Sequence, residues 1–187
     1  MRYYTAKGDG GTTKLFNCPA GARMSKGEEV FEVLGGLDEL NSFVGLSRAV
    51  AARTGFRCLD AGGRSDFLQT LSGIQQNLFI IQAELAGAAP RLSEEKVTDI
   101  EERIERLSTK FPPITSFVIP GATELGSLLD ICRTIARRVE RSYVKARPEG
   151  TDSNIGRYVN RLSSAFYVLA RCATHCQEVE EQAPTYR

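Results

Sequence analysis

Between Asp66 and Ala88 the apolar residues Phe67, Leu71, Ile74, Leu78, Ile81 and Leu85 recur at alternating steps of four and three. That period puts all six on one face of an α-helix and is incompatible with the two-residue repeat of a strand. Such a face has to be covered by another element. The same signature returns along the chain. Val33, Leu37, Leu40, Val44 and Ser47 give a seam over 31–52, and Val97, Ile100, Ile104 and Leu107 a shorter one after Ser93. Leu125, Leu128, Cys132, Ile135, Val139 and Tyr143 form the next, and Ile155, Val159, Leu162, Phe166, Leu169 and Ala173 the last, over 154–178. The breaks fall at the glycine-containing loop Thr54 to Ser65, at Pro90, at Pro112-Pro113 and at Pro148-Glu149-Gly150. Ser93, followed by Glu94 and Glu95, reads as a helix N-cap. No strand pattern stands out. The expectation is an all-α fold, a five-helix antiparallel up-and-down bundle of ferritin-like outline. Within a single domain, 1–31 is a mostly irregular N-terminal segment, 32–178 the bundle and 179–187 a frayed tail.

Composition narrows the function classes. The chain of 187 residues has a formal net charge of +1, so no global field draws it to nucleic acid or to an anionic membrane. No apolar run reaches the ~18 residues that span a bilayer, and the start, MRYYTAKGDGG, lacks an apolar signal core. A cytoplasmic location is expected. The five cysteines, Cys18, Cys58, Cys132, Cys172 and Cys176, are odd in number and irregularly spaced, unlike a disulfide framework. Cys132 sits among apolar helix positions and reads as core. Cys172, His175 and Cys176 can share a helix face, but His175 is the only histidine and no fourth ligand lies nearby, so packing is favoured over a metal. The lone histidine also excludes paired Glu-x-x-His di-iron chemistry, and nothing marks a strained nucleophile turn.

What remains is an anion-binding constellation. Arg133, Arg137 and Arg141 follow one another at four-residue spacing, with Arg138 beside them. Helical geometry stacks the three guanidinium groups in one stripe, where like charges repel unless anions face them. Two readings stay open: a solvated face with Glu140 and neighbouring carboxylates as counter-ions, or a site for polyphosphate or carboxylate oxygens. Gly8-Asp9-Gly10-Gly11-Thr12-Thr13 is a loop whose backbone N–H groups can approach an anion, without the sequence of a Walker loop. Asp38 lies at the border of its apolar seam, where a carboxylate needs a partner. With Asn160-Arg161 and the cations Lys7, Lys14 and Lys26, the set suits a nucleoside triphosphate.

Five ordered blocks carry a family resemblance along nearly the whole chain. They are Tyr4-Thr5-x-x-Gly8-Asp9-x-Gly11-Thr12-Thr13, Gly35-x-x-Asp38-Glu39-Leu40-Asn41-Ser42-x-x-Gly45 and Phe117-x-x-Pro120-Gly121. Then come Arg133-Thr134-x-x-Arg137-Arg138-x-Glu140-Arg141 and Asn160-Arg161-Leu162-Ser163. The chain resembles the PduO-type ATP:cob(I)alamin adenosyltransferases. The resemblance implies a five-helix bundle forming homotrimers with active sites between subunits, and transfer of the 5′-deoxyadenosyl group of ATP to cob(I)alamin. It implies that Thr5, Gly8, Asp9, Gly11, Thr12, Thr13, Lys26, Arg133, Arg137 and Asn160 line ATP, with Glu140 orienting the nucleotide or its Mg²⁺. Asp38 would pair with Arg133 and position the corrinoid. Phe117 would press on the lower corrin face and exclude the lower axial ligand, and Phe166 is taken as a further corrinoid contact. Partners implied are a corrinoid reductase and an adenosylcobalamin-dependent enzyme, with no metal held by protein side chains alone.

The chain departs from the family pattern at four places. Ala6-Lys7 fill the middle of the usual Thr-Arg-Thr-Gly-Asp, and Ala122 replaces a glycine. Asp130 stands where a histidine is common, and Ser164 follows Arg-Leu-Ser in place of aspartate. Asp130 adds negative charge near the site. These changes bear on corrinoid affinity and rate more than on nucleotide binding. They also frame the alternative, a non-catalytic relative that binds ATP or adenosylcobalamin for storage, delivery or sensing.

Overall fold

The apolar seams close on one another as five α-helices in a computed structural model that describes residues 2–54, 63–147 and 153–186. The helices are α1 (Glu29–Arg53), α2 (Gly63–Leu85), α3 (Glu94–Ser108), α4 (Glu124–Ala146) and α5 (Asn154–His175). The fold is the all-α bundle that the periodicity requires. Of the six seam residues of α2, the five from Phe67 to Ile81 are buried and Leu85 is partly covered. Leu37, Leu40 and Val44 of α1, Cys132 and Val139 of α4, and Val159, Leu162 and Phe166 of α5 meet them in one core. The loop expected over 54–65 lies largely, and the break at Pro148-Glu149-Gly150 wholly, outside the described residues.

Cross-helix pairs fix the arrangement. Ser47 Oγ lies 3.7 Å from Cys132 Sγ, Glu39 pairs with Arg138, and Arg53 reaches Glu124 at 3.4 Å. Numbers rise on α1 as they fall on α4, so the two run antiparallel. A Cβ on Gly36 would stand 2.9 Å from Val139 Cγ2, so the two backbones approach more closely than any larger residue allows. On the other side, Arg157–Glu94 at 3.1 Å and Arg161–Glu101 at 2.8 Å make α5 and α3 parallel. Asn77 of α2 donates to the buried Tyr158 hydroxyl of α5 at 3.0 Å. Direction therefore alternates along the chain, as expected, but the order around the bundle is α2, α1, α4, α5, α3. The segment between α3 and α4, residues 109–123, carries the chain across to place α4 beside α1.

Local details differ from expectation in three ways. Residues 12–13 and 24–25 form a two-residue antiparallel ladder, β1 (Thr12–Thr13) with β2 (Met24–Ser25), too short to leave an alternating pattern. Ser93 occupies the N-cap of α3 without a side-chain capping bond, whereas Thr123 and Ser153 accept from Gly126 N and Gly156 N, each at 3.1 Å. The tail is not frayed. Ile119 N donates to Gln182 O at 2.8 Å, and Glu181 Oε1 lies 3.1 Å from Arg171 Nε. The chain after α5 thus folds back onto the 109–123 crossover. No helix among the described residues is long and apolar enough to cross a membrane.

Candidate functional site

The α4 seam that buries Cys132, Ile135 and Val139 turns the arginines outward. Arg137 and Arg141 are exposed and Arg133 is half-buried. Counter-ions reach only part of the set. Arg138 is held by Glu39, and Arg133 Nε stands 3.6 Å from Asp130 Oδ1. Arg141 Nη1 donates to Arg137 O at 3.0 Å. Neither Arg137 nor Arg141 has a carboxylate partner among the described residues. Glu140, which could have served either, instead accepts from Asn160 Nδ2 at 2.6 Å. Asn160 Oδ1 in turn accepts from Arg161 Nη1 at 2.8 Å, and Arg161 Nε from α5 reaches Glu101 of α3 at 2.8 Å. The result is a cationic strip on α4, edged by a hydrogen-bonded amide on α5. A guanidinium left without an anion on such a strip can take oxygen ligands two at a time.

The glycine and threonine loop is built by tight turns. Asp9 N donates to Ala6 O at 3.3 Å and Gly11 N to Gly8 O at 3.1 Å. Ala6 at φ 57 and Gly11 at φ 74 adopt left-handed backbone, which glycine tolerates and alanine does not readily. Lys26 binds the loop twice: its N–H donates to Gly11 O at 2.9 Å and its Nζ to Gly8 O at 3.1 Å. Arg23 clamps Thr12 through Oγ1 and the carbonyl, both at 2.8 Å. Thr5 and Asp9 are exposed and Thr13 is half-buried. Structure thus brings Gly8, Gly11, Thr12 and Lys26 together. Arg23 was not singled out from sequence, where it is an isolated cation; only the ladder shows its role. Among the described residues no hydrogen bond or ion pair joins this loop to the α4 arginines.

Phe117 lies on the crossover and is 79 % exposed, a large aromatic ring with nothing over it. One expectation needs correction. Phe166 has no exposed surface; it faces inward from α5 and packs in the core, so its ring is unavailable to a ligand. Asp38 is exposed, and among the described residues it makes no ion pair with Arg133 or any other cation. Arg133 takes Asp130 instead. Asp130 proves to be buried, with Arg171 Nη2 donating to its Oδ2 at 2.6 Å. The charge it brings is therefore answered inside the bundle. Arg171 is the main residue that sequence reasoning passed over. Its one signal is position, a lone cation between buried Ala170 and Cys172. Burial pushes the Glu181 carboxyl above its usual range, against the opposing pull of Arg171. Burial also pushes the Cys132 thiol up to about 12, which keeps it a protonated core residue as its position implied.

The chain matches the family model for cobalamin adenosyltransferases over residues 3–173. It is 37% identical over 183 residues to the corrinoid adenosyltransferase PduO of Citrobacter freundii, covering 94% of this chain and 50% of that protein. It is 38% identical over 177 residues to a corrinoid adenosyltransferase of Bacillus subtilis, covering 91% of this chain and 86% of that one. The chain thus spans about half the length of the PduO relatives it matches. Among solved structures, a variant PduO-type ATP:corrinoid adenosyltransferase from Lactobacillus reuteri, complexed with cobalamin and ATP, superposes with a TM-score of 0.83. That pair is 27% identical, over 99% of this chain and 97% of the other.

Proposed function

The chain belongs to the cobalamin adenosyltransferase family, and on that premise we propose that it transfers the 5′-deoxyadenosyl group of ATP to cob(I)alamin. The observation that carries the reading is the pair Arg137 and Arg141, exposed on one helix strip without carboxylate partners among the described residues. In the reaction, the electron pair of Co(I) forms a bond to C5′, the C5′–O bond breaks, and its electrons leave with triphosphate. Charge grows on the leaving oxygens, so fixed cations there lower the barrier. Arg133 and Arg137 supply that field, with Lys26 and the Thr12-Thr13 loop holding the nucleotide and the Glu140–Asn160 pair bordering it. Mg²⁺ enters with the phosphates; among the described residues no cluster of three acidic, histidine or cysteine side chains could hold an ion unaided.

Phe117 serves the other substrate. An apolar ring against the lower corrin face displaces the axial ligand, and axial ligation is a main lever on a metal's potential. Reduction to Co(I) then becomes easier. No protein nucleophile or general base is required, which suits a chain with one histidine. That no hydrogen bond or ion pair joins the loop to the α4 strip among the described residues fits a homotrimer in which each site takes its loop from one subunit and its arginines from the next. Asp38 then meets Arg133 across that interface. We place the reaction in the cytoplasm, between a corrinoid reductase and an adenosylcobalamin-dependent enzyme.

The test is anaerobic mixing of the protein with ATP, Mg²⁺ and chemically reduced cob(I)alamin, followed by absorbance. Conversion to light-sensitive product well above the protein-free rate is expected. ATP binding without conversion would instead support a storage, delivery or sensing role.

A further inference from the structure

Asp130 occupies an inward position of α4, between Leu129 and Cys132, where the neighbouring side chains are apolar. Its side chain is 7 % exposed and that of Arg171 opposite is 3 % exposed. One carboxylate oxygen is committed, since Arg171 Nη2 donates to Oδ2 at 2.6 Å. The other, Oδ1, faces Arg133 Nε at 3.6 Å, one turn along the same helix. Arg133 Nε is itself buried and makes no hydrogen bond among the described residues. Glu181 stands 3.1 Å from Arg171 Nε, off the line of the N–H, so it balances charge without a hydrogen bond. Two acids and two arginines thus close one group in which Arg133 reaches solvent most.

The geometry separates two tasks on one guanidinium. Attraction at Nε turns the stem edge of Arg133 inward, and the two Nη groups, which make no hydrogen bond or ion pair among the described residues, are left at the outer edge. A long side chain oriented before its ligand arrives loses less freedom on binding. Arg171 fixes the carboxylate so that the second oxygen keeps its aim.

Resting on the nucleotide site argued above, we propose that Asp130 is a positioning residue, which orients Arg133 toward the triphosphate and is itself held by Arg171. A merely structural ion pair between α4 and α5 would hold the helices and leave nucleotide affinity alone. Calorimetric titration with Mg·ATP separates these outcomes. Wild type should bind; failure there would overturn the nucleotide site and this inference with it. In folded Asp130→Asn, ATP affinity should fall about tenfold, the order seen when an outer partner of a ligand-holding group is removed. In the transfer assay, KM for ATP should rise. Added to Arg133→Ala, the same substitution should cost no further affinity. Binding within twofold of wild type in folded Asp130→Asn, or an additive loss in the double variant, would overturn the inference while leaving the nucleotide site intact. Asp130→Asn leaves buried Arg171 short of a counter-charge and can unfold the chain. Side-chain nitrogen NMR of ATP-free wild type then decides. Arg133 Nε–H should be ordered and Arg137 Nε–H mobile; equal mobility would overturn the proposal.

Discussion

Three arginines one turn apart on a helix repel by a few tenths of a kcal/mol per pair. Arg138 and Arg133 have found acids, and Arg137 has not. That difference makes Arg137 the sharpest single test. Arg137→Ala should reduce turnover by about 10²–10³-fold, the scale of losing one charge-stabilising donor, while thermal melting shows the bundle intact or slightly firmer. Substantial turnover in the folded variant would remove the arginine strip from the reaction. At this scale the sequence was informative where residue type and spacing suffice: the strip, the glycine loop and Phe117. It misled where burial decides. Asp130 reads as unwelcome charge until Arg171, 41 residues away, is seen against it. Phe166 reads equally well as ligand contact or core, and only its depth excludes the first.

Helices are legible to within a few residues because each seam must face the core for its whole length. Shorter devices are not. The β1–β2 ladder has too few residues for a period, and the tail is held by contacts of single residues, such as Ile119 N to Gln182 O and Arg171 to Glu181. The tail offers a pH test. Glu181 has a raised folded-state pKa, so the folded chain binds its proton more readily than the unfolded chain. Its ionised form therefore weakens the fold, and that penalty vanishes as pH falls through the raised value. Glu181→Gln should melt higher than wild type at pH 7, with the gap closing in acid; a gap that widens in acid would refute this. Between α1 and α4 the tight point is Gly36. Because even a Cβ there would stand 2.9 Å from Val139, Gly36→Leu should destabilise by about 1–3 kcal/mol, the cost of overpacking, read by denaturant melting. An unchanged midpoint would mean that the helices part without cost.

The arrangement of the helices around the bundle is a property of the whole molecule that periodicity cannot report, since a seam says that it is covered and not by which neighbour. Whether loop and strip meet between subunits is another. If loop and strip meet between subunits, Lys26→Ala and Arg137→Ala, each inactive alone, should complement when unfolded together and reassembled. In a randomly mixed ring about a quarter of the interfaces would pair an intact loop with an intact strip, so about a quarter of wild-type activity should return. No recovery from mixed, correctly sized assemblies would place each site within one chain. The crossover that sets α4 beside α1 also imposes a schedule on synthesis. Ser47 waits for Cys132, 85 residues later. At ribosomal speeds of 5–20 residues per second that is a delay of roughly 4–17 s, during which the face of α1 destined for α4 is without its cover. The nascent first half is thus a natural client for holding chaperones, and a pause placed before α4 would lengthen its exposure.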